Sequence, residues 1–244
     1  MGGDEVGRAD EGSAGLRLPV ALALAVIAGF VDAVGFLHLF GVFAANQSGN
    51  VVFFGMSISE ASPAPAWASG GAMLGFLAGT AGGRLLSDRL PSRRRAPTLL
   101  ALELALLVVL AASVVAIAPQ DGLLADGPRL VLLLIASLAM GIQTEEIRRA
   151  AGVAVATTYQ TGAIARIGES LGSLPGSPDR ADTRHAAVVL SIVLASYIGG
   201  AALGASRLGE GHFGLVLPCL ALAIVLAVIL ATSADRPAPT DEGA

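Results

Sequence analysis

The feature that most constrains this chain is a series of apolar runs long enough to cross a lipid bilayer. They occupy residues 18–40, 67–86, 97–118, 128–147, 185–205 and 213–232. Each holds about 20 residues, and a helix rising ~1.5 Å per residue then covers a ~30 Å hydrocarbon core. Prolines punctuate the run ends: Pro63 and Pro65, Pro91 and Pro97, Pro119 and Pro128, Pro237 and Pro239. Only 14% of the 244 residues are charged, against ~25% in soluble domains. The expected fold is an all-α polytopic membrane protein of about six transmembrane helices.

One membrane domain, residues 18–232, takes up nearly the whole length, with a disordered polar tail expected over 1–17 and a short polar tail over 233–244. The first apolar run is too long for a signal-peptide core and is read as a true span. The net charge of −4 says little about partners, and no basic cluster is interleaved with aromatics, so nucleic-acid binding has no support. The single cysteine, Cys219, excludes an intrachain disulfide and a multi-cysteine metal site.

Two shorter apolar stretches are interrupted by polar residues. Residues 42–58 contain Asn46-Gln47-Ser48-Gly49-Asn50, and residues 153–171 contain Thr157-Thr158-Tyr159-Gln160-Thr161-Gly162. Arginine placement bears on whether they cross. Arg84, Arg89, Arg93, Arg94 and Arg95 mark one loop as cytoplasmic, residues 41–66 hold no arginine, and Arg8 and Arg17 put the N-terminus inside. Arg148, Arg149, Arg166, Arg180, Arg184 and Arg236 are all inside only if the second interrupted stretch also fails to cross, with Arg129 and Arg207 the exceptions. The consistent solution is six spans, two re-entrant segments and both termini cytoplasmic.

The two interrupted stretches resemble each other. Gln47-Ser48-Gly49 matches Gln160-Thr161-Gly162, with Gly55 and Gly168 following; Ala28-Gly29-Phe30-Val31-Asp32 parallels Met140-Gly141-Ile142-Gln143-Thr144; Gly75, Gly79 and Gly83 parallel Ser196, Gly200 and Gly204. Halves of about 18–118 and 128–232, each with an odd number of crossings, would form an inverted repeat of the kind found in secondary transporters.

Backbone that leaves the helix at membrane depth must be buried in protein or line a cavity. Ser48 and Thr161 are expected to cap short helices whose N-termini meet near the midplane and attract anions. The candidate solute or ion site is therefore Asp32, Asn46, Gln47, Ser48, Gly49, Asn50, Gln143, Gln160, Thr161 and Gly162. Asp32 lies ~21 Å along the first span, where a carboxylate needs a partner or a proton. It is either a proton or cation site or a structural hydrogen-bond acceptor.

Bland roles are expected for the other polar groups. Glu145 and Glu146 should form interfacial ion pairs beside Arg148 and Arg149, and Glu103 should snorkel to the cytoplasmic side. His38, His185 and His212 have no metal-ligand spacing. Gly71, Gly75, Gly79 and Gly83 form a smooth stripe for another backbone, in the same chain or in a second copy of a homo-oligomer. No catalytic motif is found, so no enzymatic activity, metal or cofactor is expected.

Ala28-Gly29-Phe30-Val31-Asp32-Ala33, followed by Gly41-Val42-Phe43-Ala44-Ala45-Asn46-Gln47-Ser48-Gly49-Asn50, resembles the YoaK-like family of bacterial inner-membrane proteins. Met140-Gly141-Ile142-Gln143, Arg148-Arg149 and Thr157-Thr158-Tyr159-Gln160-Thr161-Gly162 carry the resemblance through the second half. This chain departs from the family pattern at Thr144-Glu145, where Asn-Ala is common. The resemblance implies architecture and an inner-membrane location but no activity. Two function classes stay open: a small secondary transporter or permease for a small solute, anionic or proton-coupled, and a non-transporting assembly or sensing protein.

Overall fold

A computed structural model describes residues 3–61, 63–117, 126–150, 160–172, 180–206 and 214–234. Among these there are eight helices: α1 (Gly3–His38), α2 (Gln47–Ser59), α3 (Pro63–Arg89), α4 (Ser92–Ile117), α5 (Asp126–Ala150), α6 (Gln160–Gly172), α7 (Arg180–Gly204) and α8 (Val216–Ala234). Four contain stretches long and apolar enough to cross a membrane: Leu18–His38, Ser92–Ala116, Asp126–Glu146 and Thr183–Gly204. Val216–Thr232 is apolar but shorter. The 27-residue α3 is long enough, but Gly, Ser and Thr dilute its apolarity, and those small residues are what it buries. Leu74, Leu77 and Leu85 on its other side are exposed. Large exposed apolar side chains on most of the helices are what a lipid-facing surface requires.

α1 begins at Gly3 rather than near Leu18, so the polar stretch expected to be a disordered tail continues the helix of the first span. Its Ala, Glu, Asp and Arg residues are compatible with a helix, and Pro19 lies well inside it.

Two helix pairs form the frame: α1 with α7, and α3 with α5. Glycines let the backbones touch in both. Between α1 and α7, a Cβ at Gly29 would run into the Tyr197 carbonyl oxygen, and one at Gly200 into that of Val26. On the other pair, a Cβ at Gly141 would meet the Phe76 oxygen, and one at Gly79 that of Leu138. Within each pair the contacts advance together along both chains, from Val26 with Gly200 to Phe30 with Gly204, and from Leu130 with Gly71 to Ile142 with Gly83. Both pairs are therefore parallel. Arg129, near the start of α5, donates to the His38 carbonyl at the end of α1 (3.4 Å) and lies over the Phe40 ring (4.7 Å), so the pairs run in opposite senses. α4 packs on α5 and α8, α8 also on α1, α2 on α3, and α6 on α7.

The glycine stripe is thus occupied inside the chain. Gly71, Gly75, Gly79 and Gly83 all face α5, so of the two partners left open for the stripe it is a helix of the same chain that packs on it.

Candidate functional site

The first interrupted segment is built around Asp32. α1 ends at a turn in which Phe40 (φ 52°) and Gly41 (φ 67°) take left-handed conformations, reversing the chain. Residues 42–46 then return along α1 as non-helical backbone; a Cβ on Gly35 would stand 3.6 Å from the Val42 oxygen. At the level of Asp32 the chain turns again and leaves as α2. Asp32 precedes His38 by six residues, so the tip lies ~9 Å below the end of the helix.

Asp32 is 2% exposed and is held by three donors. Its Oδ1 accepts from Ala45 N (2.6 Å), and its Oδ2 from Asn46 N (3.0 Å) and from the Tyr197 hydroxyl on α7. The Gly29–Tyr197 backbone contact brings that phenol within reach. Of the two open roles, the structural one is plainly filled: a carboxylate, acceptor-only when ionised, satisfies the backbone N–H groups of a loop that has no helix or sheet to bond them.

Asn50 completes the loop. Fully buried, it accepts from Phe43 N (2.9 Å) and donates to Phe43 O (2.6 Å) and to Gln47 Oε1 (2.9 Å). Gln47 Nε2 donates to Ala44 O (2.9 Å). Gly49 lies against the Phe43 ring, leaving no room for a Cβ, and Phe43 stacks with Phe36 and Phe53. Ser48 is not the cap: Asn46 is the N-cap residue, its side chain makes no capping bond, and Ser48 Oγ donates to Asn46 Oδ1 (2.8 Å). The first N–H groups of α2 therefore have neither an intrahelical partner nor a side-chain cap from Asn46.

The structure thus brings Asp32, Asn46, Gln47, Ser48, Gly49 and Asn50 together. The remaining expected members lie elsewhere. Gln160, Thr161 and Gly162 open α6, which packs on α7 and makes no contact with α2. The two Gln-Ser/Thr-Gly motifs do not meet, because each short helix is carried by a different frame helix. Thr161 stands inside α6, one residue past its start, and is not its cap; Thr157, Thr158 and Tyr159 fall outside the described residues.

Gln143 belongs to a second polar centre, where it donates to Glu103 Oε1 (2.9 Å). Both residues are fully buried. Glu103 does not snorkel: α4 starts at Ser92, not near Pro97, which places Glu103 eleven residues, ~16 Å, along it. Glu145 and Glu146, at the end of the α5 span, are buried, and Arg84 approaches Glu145 at 3.7 Å; the side chains of Arg148 and Arg149 fall outside the described residues. Sequence reasoning missed Tyr197, Glu103 as an interior group, and their pairings. A hydroxyl in the Ala/Gly-rich part of α7 was the available signal for the first.

An apolar cavity of about 310 Å³ opens where α1 ends and α3 and α5 begin, lined by Phe40, Pro63, Trp67, Asp126, Gly127 and Leu130 among others. It does not include Asp32. No group of three or more His, Cys, Asp or Glu side chains among the described residues could hold a metal ion.

An all-helical bundle with several apolar, bilayer-length helices, a lipid-facing apolar exterior and buried polar centres defines a helical membrane protein. The family model described as "Protein of unknown function (DUF1275)" matches residues 20–229, and the chain belongs to that family. It is 28% identical over 162 residues, 65% of this chain and 69% of the relative, to the UPF0700 transmembrane protein YoaK of Bacillus subtilis (strain 168). No solved structure matches.

Proposed function

We propose that this protein is a small secondary transporter or permease of the cell membrane, built as an inverted repeat with six spans and both termini cytoplasmic. The observation that carries this reading is the segment 42–46, whose backbone leaves the helix below the end of α1 and is bonded to a buried carboxylate. Broken backbone at membrane depth, followed by a short helix, is the device by which such carriers form solute sites.

The helix pairing supports the repeat. Mapping α1 to α5 and α3 to α7 sends Gly29 against Tyr197 onto Gly141 against Phe76, and Gly200 against Val26 onto Gly79 against Leu138. The opposite sense of the two pairs is what an inverted repeat demands. Asp32 already presents negative charge to the loop ahead of α2, which favours a neutral or cationic solute over an anionic one. The test is uptake by proteoliposomes of the full chain against a panel of labelled cations, neutral metabolites and small anions. Accumulation that is lost in Asp32→Ala supports the proposal; no uptake or binding of any member by folded protein overturns it.

The second reading, a non-transporting assembly or sensing protein, is favoured by one observation: the donors that meet Asp32 are all spent on holding the loop and its neighbouring helix.

A further inference from the structure

Glu103 and Gln143 form a centre that the Asp32 loop does not use. Both are 0% exposed. One hydrogen bond joins them, from Gln143 Nε2 to Glu103 Oε1, and it leaves Glu103 Oε2 and Gln143 Oε1 buried with no protein donor. Two acceptor oxygens are therefore stranded within one contacting pair of side chains, at the middle of α4 and on α5.

Among the described side chains, none supplies a cation to Glu103. From α5, Glu146 lies within Coulombic range, adding a like charge, and Glu145 beside it is approached by Arg84 of α3. Arg84 also pairs with Asp88 of α3 (2.9 Å). α8, the remaining helix packed on α4, carries no Asp, Glu, His or Arg over Val216–Ala234. On α4 itself, Arg93, Arg94 and Arg95 lie two or more turns away, and Arg95 donates to Leu90 O. A buried carboxyl with a like charge near it and no cation is most simply satisfied by one proton. Protonation converts a stranded acceptor into a donor, which an acceptor-rich pocket needs.

We propose that Glu103 and Gln143 form a proton-binding site, with Glu103 the carrier and Gln143 the residue that positions it. The step is a single proton transfer: one O–H bond of hydronium breaks as its proton passes to the Glu103 carboxylate, a new O–H bond forms there, and a water molecule is left. Such a site serves a sensor as well as a carrier, so the inference does not rest on the transporter reading.

Infrared spectra of the full chain in lipid nanodiscs, in H2O and D2O at neutral pH, test it. The expected result is a carbonyl stretch of a protonated carboxyl that shifts on deuteration. It should move when glutamate, and not aspartate, is carboxyl-labelled with 13C. It should vanish in Glu103→Gln, persist in Glu146→Gln, and change frequency in Gln143→Leu, which removes the amide. Absence of a glutamic-acid band, its survival in Glu103→Gln, or an unmoved band in Gln143→Leu overturns the assignment. Should Glu103→Gln fail to fold, the labelled wild type and Gln143→Leu decide the matter. Loss of the band on adding sodium at constant pH would show a metal cation in place of the proton and would also overturn it.

Discussion

Replacing Tyr197 by Phe removes one oxygen from the protein and tests whether Asp32 anchors the non-helical loop 42–46. The phenol is one of three donors to the carboxylate, the other two being Ala45 N and Asn46 N. A hydrogen bond to a charged group contributes ~1.5–3 kcal/mol in soluble proteins. Interhelical bonds measured inside membranes average ~0.6 and reach ~1.7 kcal/mol. Because two donors remain, Asp32 is not orphaned, and Tyr197→Phe is expected to cost about 1 kcal/mol. Asp32→Ala strands all three donors and is expected to cost on the order of 3–9 kcal/mol, at ~1–3 kcal/mol per unsatisfied group. In the double variant the tyrosine change should cost nothing further, since its partner is gone. Unfolding in SDS mixed micelles, followed by circular dichroism, gives the four stabilities. A cysteine at the exposed Ser48, with Cys219 replaced by Ala, reports the loop directly: its labelling by a water-soluble thiol reagent should accelerate in Asp32→Ala. Additive costs in the double variant, or unchanged labelling in Asp32→Ala, would refute the anchor.

The glycines at the helix crossings should respond to alanine with opposite signs according to what they face. Gly79→Ala and Gly200→Ala drive a Cβ into backbone oxygen and should destabilise by ~1–3 kcal/mol or block accumulation. Gly82→Ala and Gly199→Ala meet nothing within 4 Å and should be neutral or stabilise by up to ~1 kcal/mol, read by the same unfolding assay. For the proposed orientation, Glu60→Cys should react with an impermeant reagent added outside intact cells and Ser92→Cys should not; the reverse pattern overturns it.

Much of the frame was legible because it rests on near-neighbour physics. Apolar runs of bilayer length, prolines at their ends and glycines at every fourth position need no tertiary knowledge to be read. Asp32 stood out for the same reason, a carboxylate among apolar residues. Its partner did not, because Tyr197 is 165 residues away and only the Gly29–Gly200 crossing brings it close. Ser48 was misread as a cap because α2 starts at Gln47, one residue earlier, which puts Ser48 inside the first turn and Asn46 at the N-cap. Glu103 was misread because its depth was counted from Pro97, whereas α4 carries that proline inside it and starts at Ser92.

The distribution of close contacts bears on how such a molecule could move. Within α1–α7 and within α3–α5, glycines bring backbone against backbone, and a Cβ at the crossings has no room. Packing of that kind resists sliding, because any shift along one helix would drive neighbouring side chains into the other's backbone. The two pairs touch each other through α1 against α5. Rearrangement that preserves the tight crossings must therefore move one pair against the other as a unit, which on the proposed transporter reading is a rocking motion. The Asp32 centre ties a loop to the α1–α7 pair. The Glu103–Gln143 centre ties α4 to α5 of the opposite pair. Both centres thus hold one pair to an element that flanks it, whereas the bond from Arg129 to the His38 carbonyl joins α5 to the end of α1. A change in the protonation of Glu103 would consequently act on the α4–α5 contact while leaving the loop at Asp32 in place.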